Sequence, residues 1–217
     1  MSIHENSYIS IDKSIAQQVD YPYPTPKLTF DFPPHVIETC MVHGRPWVHR
    51  GETLARFANE FDLRVIVELG VWRGETFERL LEQCPAAKVY GVDRWAPAPE
   101  AAAGAPEDWA EWPHEDHLAR VQAIASGHPG RAHVFRMETV TAAAFFNTRS
   151  VDMVFVDADH SYNGVISDID AWLPKIRSGG WIVGHDIDWT TVRAAVHDRI
   201  GYDLEYGMDA LWAWQVP

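Results

Sequence analysis

Cysteine is nearly absent from this chain. There are two in 217 residues, Cys40 and Cys84, with no motif spacing between them. That excludes a disulfide framework and a cysteine-built zinc site, and it suits a reducing compartment. Long apolar runs are also missing; none nears the roughly 20 residues that span a bilayer. No early stretch joins a basic start to an apolar core, so no secretory leader is expected and a cytoplasmic location is. Basic charge is scarce: 18 Lys and Arg stand against 31 Asp and Glu, a net charge of −13. Nucleic acid and anionic membranes demand a basic footprint, so neither is an expected partner. A small molecule, a protein or a cation remains.

What is present is ordinary for a globular fold, with 47% apolar and 23% charged residues, together with ten tryptophans. Residues 1–50 differ from the rest. "YPYPTPKLTFDFPPHV" (21–36) holds five prolines and cannot be a helix interior. It reads as an extended arm, a lid or a dimer contact, with a loose tail as the alternative. The domain proper is expected over 51–217.

"GETLARFANEF" (51–61) has Leu54, Phe57, Ala58 and Phe61 on one helical face. Strand and helix patterns then alternate. Strands are expected at 64–70, 88–93, 133–137, 151–157 and 179–186. Helices are expected at 74–84, 139–146, 161–177 and 189–200. A closing hairpin follows, at 202–207 and 209–216. Continuous apolar strands between helices predict an α/β fold: a doubly wound, mostly parallel seven-stranded sheet with an antiparallel C-terminal hairpin. Ligands of such sheets bind at the carboxyl ends of the strands. Residues 96–117 interrupt the alternation and read as a surface insertion. In it, "HEDH" (114–117) is a metal-pair pattern or a solvated helix turn.

The strand-end residues carry the chemistry. Glu68, Gly70 and Gly74 give E-x-G-x-x-x-G. The glycines permit close approach of a ligand to the backbone, and the acid suits an amino group or sulfonium better than a pyrophosphate. Asp93 ends the second strand, 23 residues after Gly70, where a carboxylate accepts from a ribose diol. Trp95, just beyond, is a candidate wall for the ligand. Asp157, Asp159 and His160 crowd the end of "VDMVFVD", and His185 and Asp186 end "GGWIVGHD".

"VELGVWRGET", "VYGVDRW", "FRMETV" and the block 151–186 resemble class I S-adenosylmethionine-dependent methyltransferases. They are most similar to the small bacterial group of macrolide and sugar O-methyltransferases, over about 62–190. The resemblance implies that Glu68, Gly70 and Gly74 hold the methionine part of the cofactor, and Thr76 is a further candidate cofactor contact. The same likeness gives Asp93 to the ribose, and Met137, Glu138 and Thr139 to adenine. Asp157 and Asp159 fall where relatives place a metal-binding acid and a cofactor contact.

In a parallel sheet the Asp157 and Asp186 tips are neighbours. Two carboxylates meeting there call for a cation, and oxygen-rich ligands suit Mg²⁺ or Mn²⁺. The expected metal set is Asp157, His185 and Asp186, with His160 as general base near its ordinary pKa of about 6.5. Relatives usually carry Asp-Asp or Asp-Asn where this chain has His185-Asp186. His185 is therefore a ligand or a substrate contact, and a metal-free site run by His160 stays open. Tyr162, Asn163 and Trp189 are candidates for the acceptor pocket. Asp168 and Asp170 read as solvated or capping. The expected activity is O-methyl transfer to a hydroxyl of a sugar or another natural product. The alternatives are N-methyl transfer, a hydroxylase on the same scaffold, or cofactor binding without catalysis.

Overall fold

The computed structural model describes residues 37–39, 46–97, 112–207 and 209–217, the first of these and residues 46 and 47 by backbone alone. Most of the expected arm, and residues 98–111 of the expected insertion, lie outside these.

Within the segment read as an extended arm, β1 (Ile37–Thr39) and β2 (Pro46–Val48) pair antiparallel as a separate small sheet. Helix α1 (Arg50–Glu60) follows at once. The main sheet contains β3 (Val65–Leu69), β4 (Lys88–Asp93), β5 (Ala132–Arg136), β6 (Val151–Val156), β7 (Ile176–Gly184), β8 (Glu205–Tyr206) and β9 (Trp212–Gln215). Its order is β5-β4-β3-β6-β7-β9-β8. The pairs from β5 to β7 are parallel, and β9 and β8 run antiparallel. This is the doubly wound sheet and antiparallel hairpin that the alternation predicted.

Period-2 patterning sorts the strand side chains into two cores. Ile66, Met153, Phe155 and Val183 face α1 and α2 (Glu75–Gln83), meeting Leu54, Phe57, Phe77 and Leu80. Val67, Val154 and Ile182 face α5 (Tyr162–Trp172) and α6 (Thr190–Arg199), meeting Val165, Ile169, Trp172 and Val196. Each fully buried side chain of this kind contributes about 2 kcal/mol. With helices on both faces, the strands have no polar side to show, hence their unbroken apolar runs.

Several boundaries differ from expectation. Helix α3 (His114–Ser126) was not anticipated beyond its first turn. The helix expected at 139–146 is only α4 (Thr139–Ala142) and a 3₁₀ turn to Phe145. The helix expected at 161–177 ends at Trp172, passes through a 3₁₀ turn containing Pro174, and gives way to β7 at Ile176. Proline has no N–H to continue the ladder, so the apolar Ile176 serves the strand instead.

Strands β4 and β5 lie on one side of β3, and β6 and β7 on the other. The order reverses between β3 and β6, and the crevice opens at their carboxyl ends. Among the described residues no helix is long and apolar enough to cross a membrane.

Candidate functional site at the β3–β6 switch point

Gly70 leaves β3 with φ +86° and donates its N–H to Val92 O at 2.9 Å. A Cβ built there would lie 2.1 Å from Asp157 O, so only glycine lets the two strand tips approach this closely. Gly74, at φ +85°, opens α2, whose first turn buries Thr76. The Asp93 carboxylate spans the loop: Oδ2 accepts from Trp72 N at 2.9 Å and Oδ1 from Trp95 N at 2.7 Å. Each oxygen keeps a free lone pair for a further donor. Glu68 is 1% exposed, and its Oε2 has no hydrogen-bond partner. Burial first, and the charge of Asp157 second, push its pKa well above the carboxylate range.

The remaining cofactor candidates are dispersed. Trp95 is 2% exposed and donates from Nε1 to Trp72 O at 2.8 Å. It packs beneath the loop, and with Trp112, His114 and Arg136 it lines a cavity of about 420 Å³ that shares no residue with the Asp157 cluster. Met137 N donates to Asp93 O at 3.0 Å, tying the β5 exit to the β4 tip. Glu138 is exposed and pairs with Arg94 at 3.3 Å. Thr139 donates from Oγ1 to Asp168, and Thr139 O accepts from Trp172 Nε1 at 3.0 Å. Asp159 is exposed and accepts from Ser161 N at 2.8 Å, shaping the start of α5.

Asp168 corrects the reading that made it a solvated or capping acid. It is 2% exposed. Burial raises its pKa to about 7, Asp159 and Glu138 add to the rise, and the Thr139 hydroxyl opposes it. Asp170 is exposed and pairs with Arg199 at 2.8 Å.

The tips of β6 and β7 bring the predicted acids and histidines together. His160 Nε2 lies 2.7 Å from Asp186 Oδ2 and 3.6 Å from Asp157 Oδ1. His185 Nδ1 lies 3.4 Å from Asp157 Oδ1 and 3.3 Å from Asp186 Oδ1. None of these contacts at His160 Nε2 is in line as a hydrogen bond; the nitrogen is buried and aimed between the carboxylates. Donor atoms of Asp157, His160 and Asp186 lie within 4.8 Å of one another. His160, expected as the base, thus joins the two acids as a possible cation-holding set, whereas His185, expected as the ligand, is not in it. Trp189 packs against His160 with the rings tilted by 34° and 4.8 Å between centroids, and Thr191 Oγ1 donates to His160 O at 2.7 Å.

Charge coupling within the cluster is strong. Burial alone would raise Asp157, but the His185 charge and the His160 and His185 contacts hold it well below the carboxylate range. Burial would lower His160, but Asp157 and Asp186 outweigh it and raise the ring to about 9. The expectation of a ring near its ordinary pKa is therefore corrected: with these carboxylates bare, His160 carries its proton at neutral pH.

Two charged residues escaped the sequence reading. Arg50, the first residue of α1, places Nε 3.1 Å from Asp157 Oδ2. Asp209, in the turn before β9, lies 3.7 Å from His185 Nε2. Neither sits in a motif; tertiary packing brings them here.

The Rossmann-like fold thus presents a reversal-point crevice with a glycine-lined loop, a strand-end carboxylate with free acceptor lone pairs and an acid–histidine cluster. Residues 67–187 match the family model described as "Methyltransferase domain". The chain belongs to that family, the class I S-adenosylmethionine-dependent methyltransferases, and is a methyltransferase. An uncharacterised protein of Acanthamoeba polyphaga mimivirus is 24% identical over 175 residues, 77% of this chain and 72% of its own length. The fold is also that of a Klebsiella pneumoniae structure assigned as an O-methyltransferase (TM-score 0.57, 16% identity, 77% of this chain and 80% of that one). It is likewise that of the calicheamicin methyltransferase CalS11 (TM-score 0.54, 16% identity, 76% and 77%).

Proposed function

We propose that this chain transfers the methyl group of S-adenosylmethionine to a hydroxyl oxygen of a small molecule, a sugar or another natural product. The observation that carries the reading is the cluster of Asp157, His160 and Asp186 beside the Gly70 loop. The residues fit the donor. Glu68 has an unused buried oxygen for an ammonium, Gly70 and Gly74 turn the loop at positive φ so that it packs tightly beside the tail, and Asp93 has acceptors for a diol. Thr76 and Trp95 support the loop from below, Met137, Glu138 and Thr139 border the adenine side, and Asp159 shapes the adjoining turn. When bound, the donor supplies a methyl group made electrophilic by its sulfonium.

The protein's part is to position the acceptor oxygen and take its proton. His160 receives that proton in its neutral form, the minor one at pH 7 while Asp157 and Asp186 are bare. Asp157 and Asp186 hold the ring from either side, and Trp189 and Tyr162 border the approach. A divalent metal also fits the donor set; held by Asp157 and Asp186 with a histidine, it would lower the pKa of the acceptor hydroxyl. A cation there would also offset the carboxylate pull that keeps His160 protonated. A second reading rests on the convergence of the three donor atoms: His160 is itself a ligand, and His185 stays outside the set.

CalS11 is a TDP-rhamnose 3'-O-methyltransferase, which supports a sugar hydroxyl as acceptor. The segment before α1 is assigned as an arm or lid over the acceptor, and a second copy of the chain is its proposed partner. Incubation with methyl-labelled donor and a panel of sugars, sugar nucleotides and catechols tests the reading. We expect a product one methyl heavier, with the label on oxygen. Transfer only to nitrogen, or binding without any transfer, would overturn it.

A further inference from the structure

His185, expected as a metal ligand, lies outside the convergent donor set, and its surroundings give it other work. Its side chain is 12% exposed and stands among three carboxylates. Nδ1 lies 3.4 Å from Asp157 Oδ1 and 3.3 Å from Asp186 Oδ1. Nε2 lies 3.7 Å from Asp209 Oδ2. Nε2 is buried and makes no hydrogen bond, so its tie to Asp209 is a charge contact.

The hairpin that carries Asp209 is fastened to the β7 tip. Ile187 N donates to Ala210 O at 3.2 Å, and Trp212 Nε1 donates to His185 O at 3.3 Å, one bond on each side of Asp186. Gly184 makes room for this: a Cβ there would lie 2.3 Å from the Trp212 ring. Asp186, Asp209 and Ala210 all take positive φ, at 54°, 59° and 53°. Ala210 has no side chain to favour that region, so the docking contacts hold the turn in it.

We propose that Asp209 is a positioning residue: it holds His185 from one side, and His185 in turn sets where the Asp157 and Asp186 carboxylates stand. This rests on the hydroxyl-transfer reading above and adds to it a residue outside the matched span of 67–187. Like charges at Asp157 and Asp186 repel, and one imidazole N–H between them gives both a common donor. Asp209, facing the other nitrogen, keeps the ring from turning that donor away. The hairpin thereby governs the spacing of the two acids that flank His160.

Asp209→Gly removes the carboxylate and keeps the positive φ of the turn. Turnover at saturating donor and acceptor is expected to fall about 10-fold, while S-adenosylhomocysteine affinity, which reports the fold, stays within about 2-fold. Asp209→Asn keeps an acceptor in place and should return turnover to within about 3-fold of wild type. The double variant with His185→Ala should lose no more than His185→Ala alone, because Asp209 acts through the ring. Nitrogen-15 spectra of the imidazoles give a readout independent of turnover: Asp209→Gly should move the His185 Nε2 resonance. Losses that multiply in the double variant, full turnover in Asp209→Gly, or an unmoved His185 resonance would overturn the assignment. Wild-type protein that binds S-adenosylhomocysteine but methylates no hydroxyl would overturn the reading beneath it, and the spectra would still decide the Asp209–His185 contact.

Discussion

At the scale of single residues, environment rather than residue type sets behaviour. Asp168 and Asp170 lie two positions apart on α5, yet one is buried against Thr139 and the other pairs with Arg199 at the surface. Asp168 has a folded pKa of about 7, against an unfolded value near about 3.9. The folded state therefore keeps a proton that the unfolded chain releases. Stability contributed through this group is present below about pH 4 and lost as pH rises towards 7, a cost on the order of 4 kcal/mol. Asp168→Asn should remove that loss. Denaturant midpoints should show it more stable than wild type at pH 8, with the gap closing near pH 4. His160 offers a second test. If it is the base, His160→Ala loses turnover at least about 100-fold while Mn²⁺ binds as before. If it is a ligand, Mn²⁺ affinity measured by titration falls at least about 10-fold as well.

At the scale of elements, α5 shows what fixes a boundary. Ser161 Oγ accepts from Gly164 N at 3.1 Å and starts the helix just after the cluster. Ser161→Ala should cost about 1 kcal/mol in chemical denaturation. Because His160 is the preceding residue, the same change should also lower turnover; unchanged turnover would show that the cap does not help to hold the ring. The elements legible in advance were those with unbroken apolar strands or a wide apolar stripe, including β3, β6 and α5. The errors have physical causes. Helix α3 buries only Leu118 and Val121, so its sequence carries little stripe to read. The apolar run after Trp172 looked helical because Ile176 keeps the period, yet Pro174 stops the ladder and the residue enters β7. Asp157, Asp186, His160 and His185 were found because they end strands whose neighbours the topology dictates. Arg50 and Asp209 were not, since their approach depends on how α1 and the β8–β9 turn pack, which no spacing encodes.

At the scale of the whole molecule, two halves of a wound sheet meet at one crevice. The β3–β4–β5 half brings the glycine loop and the Asp93 acceptors; the β6–β7 half brings the acids and histidines. Gly70 joins them, its missing side chain leaving the space that Asp157 O fills. Methyl transfer needs such a meeting, a nucleoside held by one half and an activated oxygen by the other. A crystal of the protein soaked in S-adenosylhomocysteine tests this most directly. The account predicts the ribose on Asp93 and the sulfur directed at the gap between Asp157 and His160. A nucleoside bound elsewhere, or with its sulfur turned away from that gap, would contradict it.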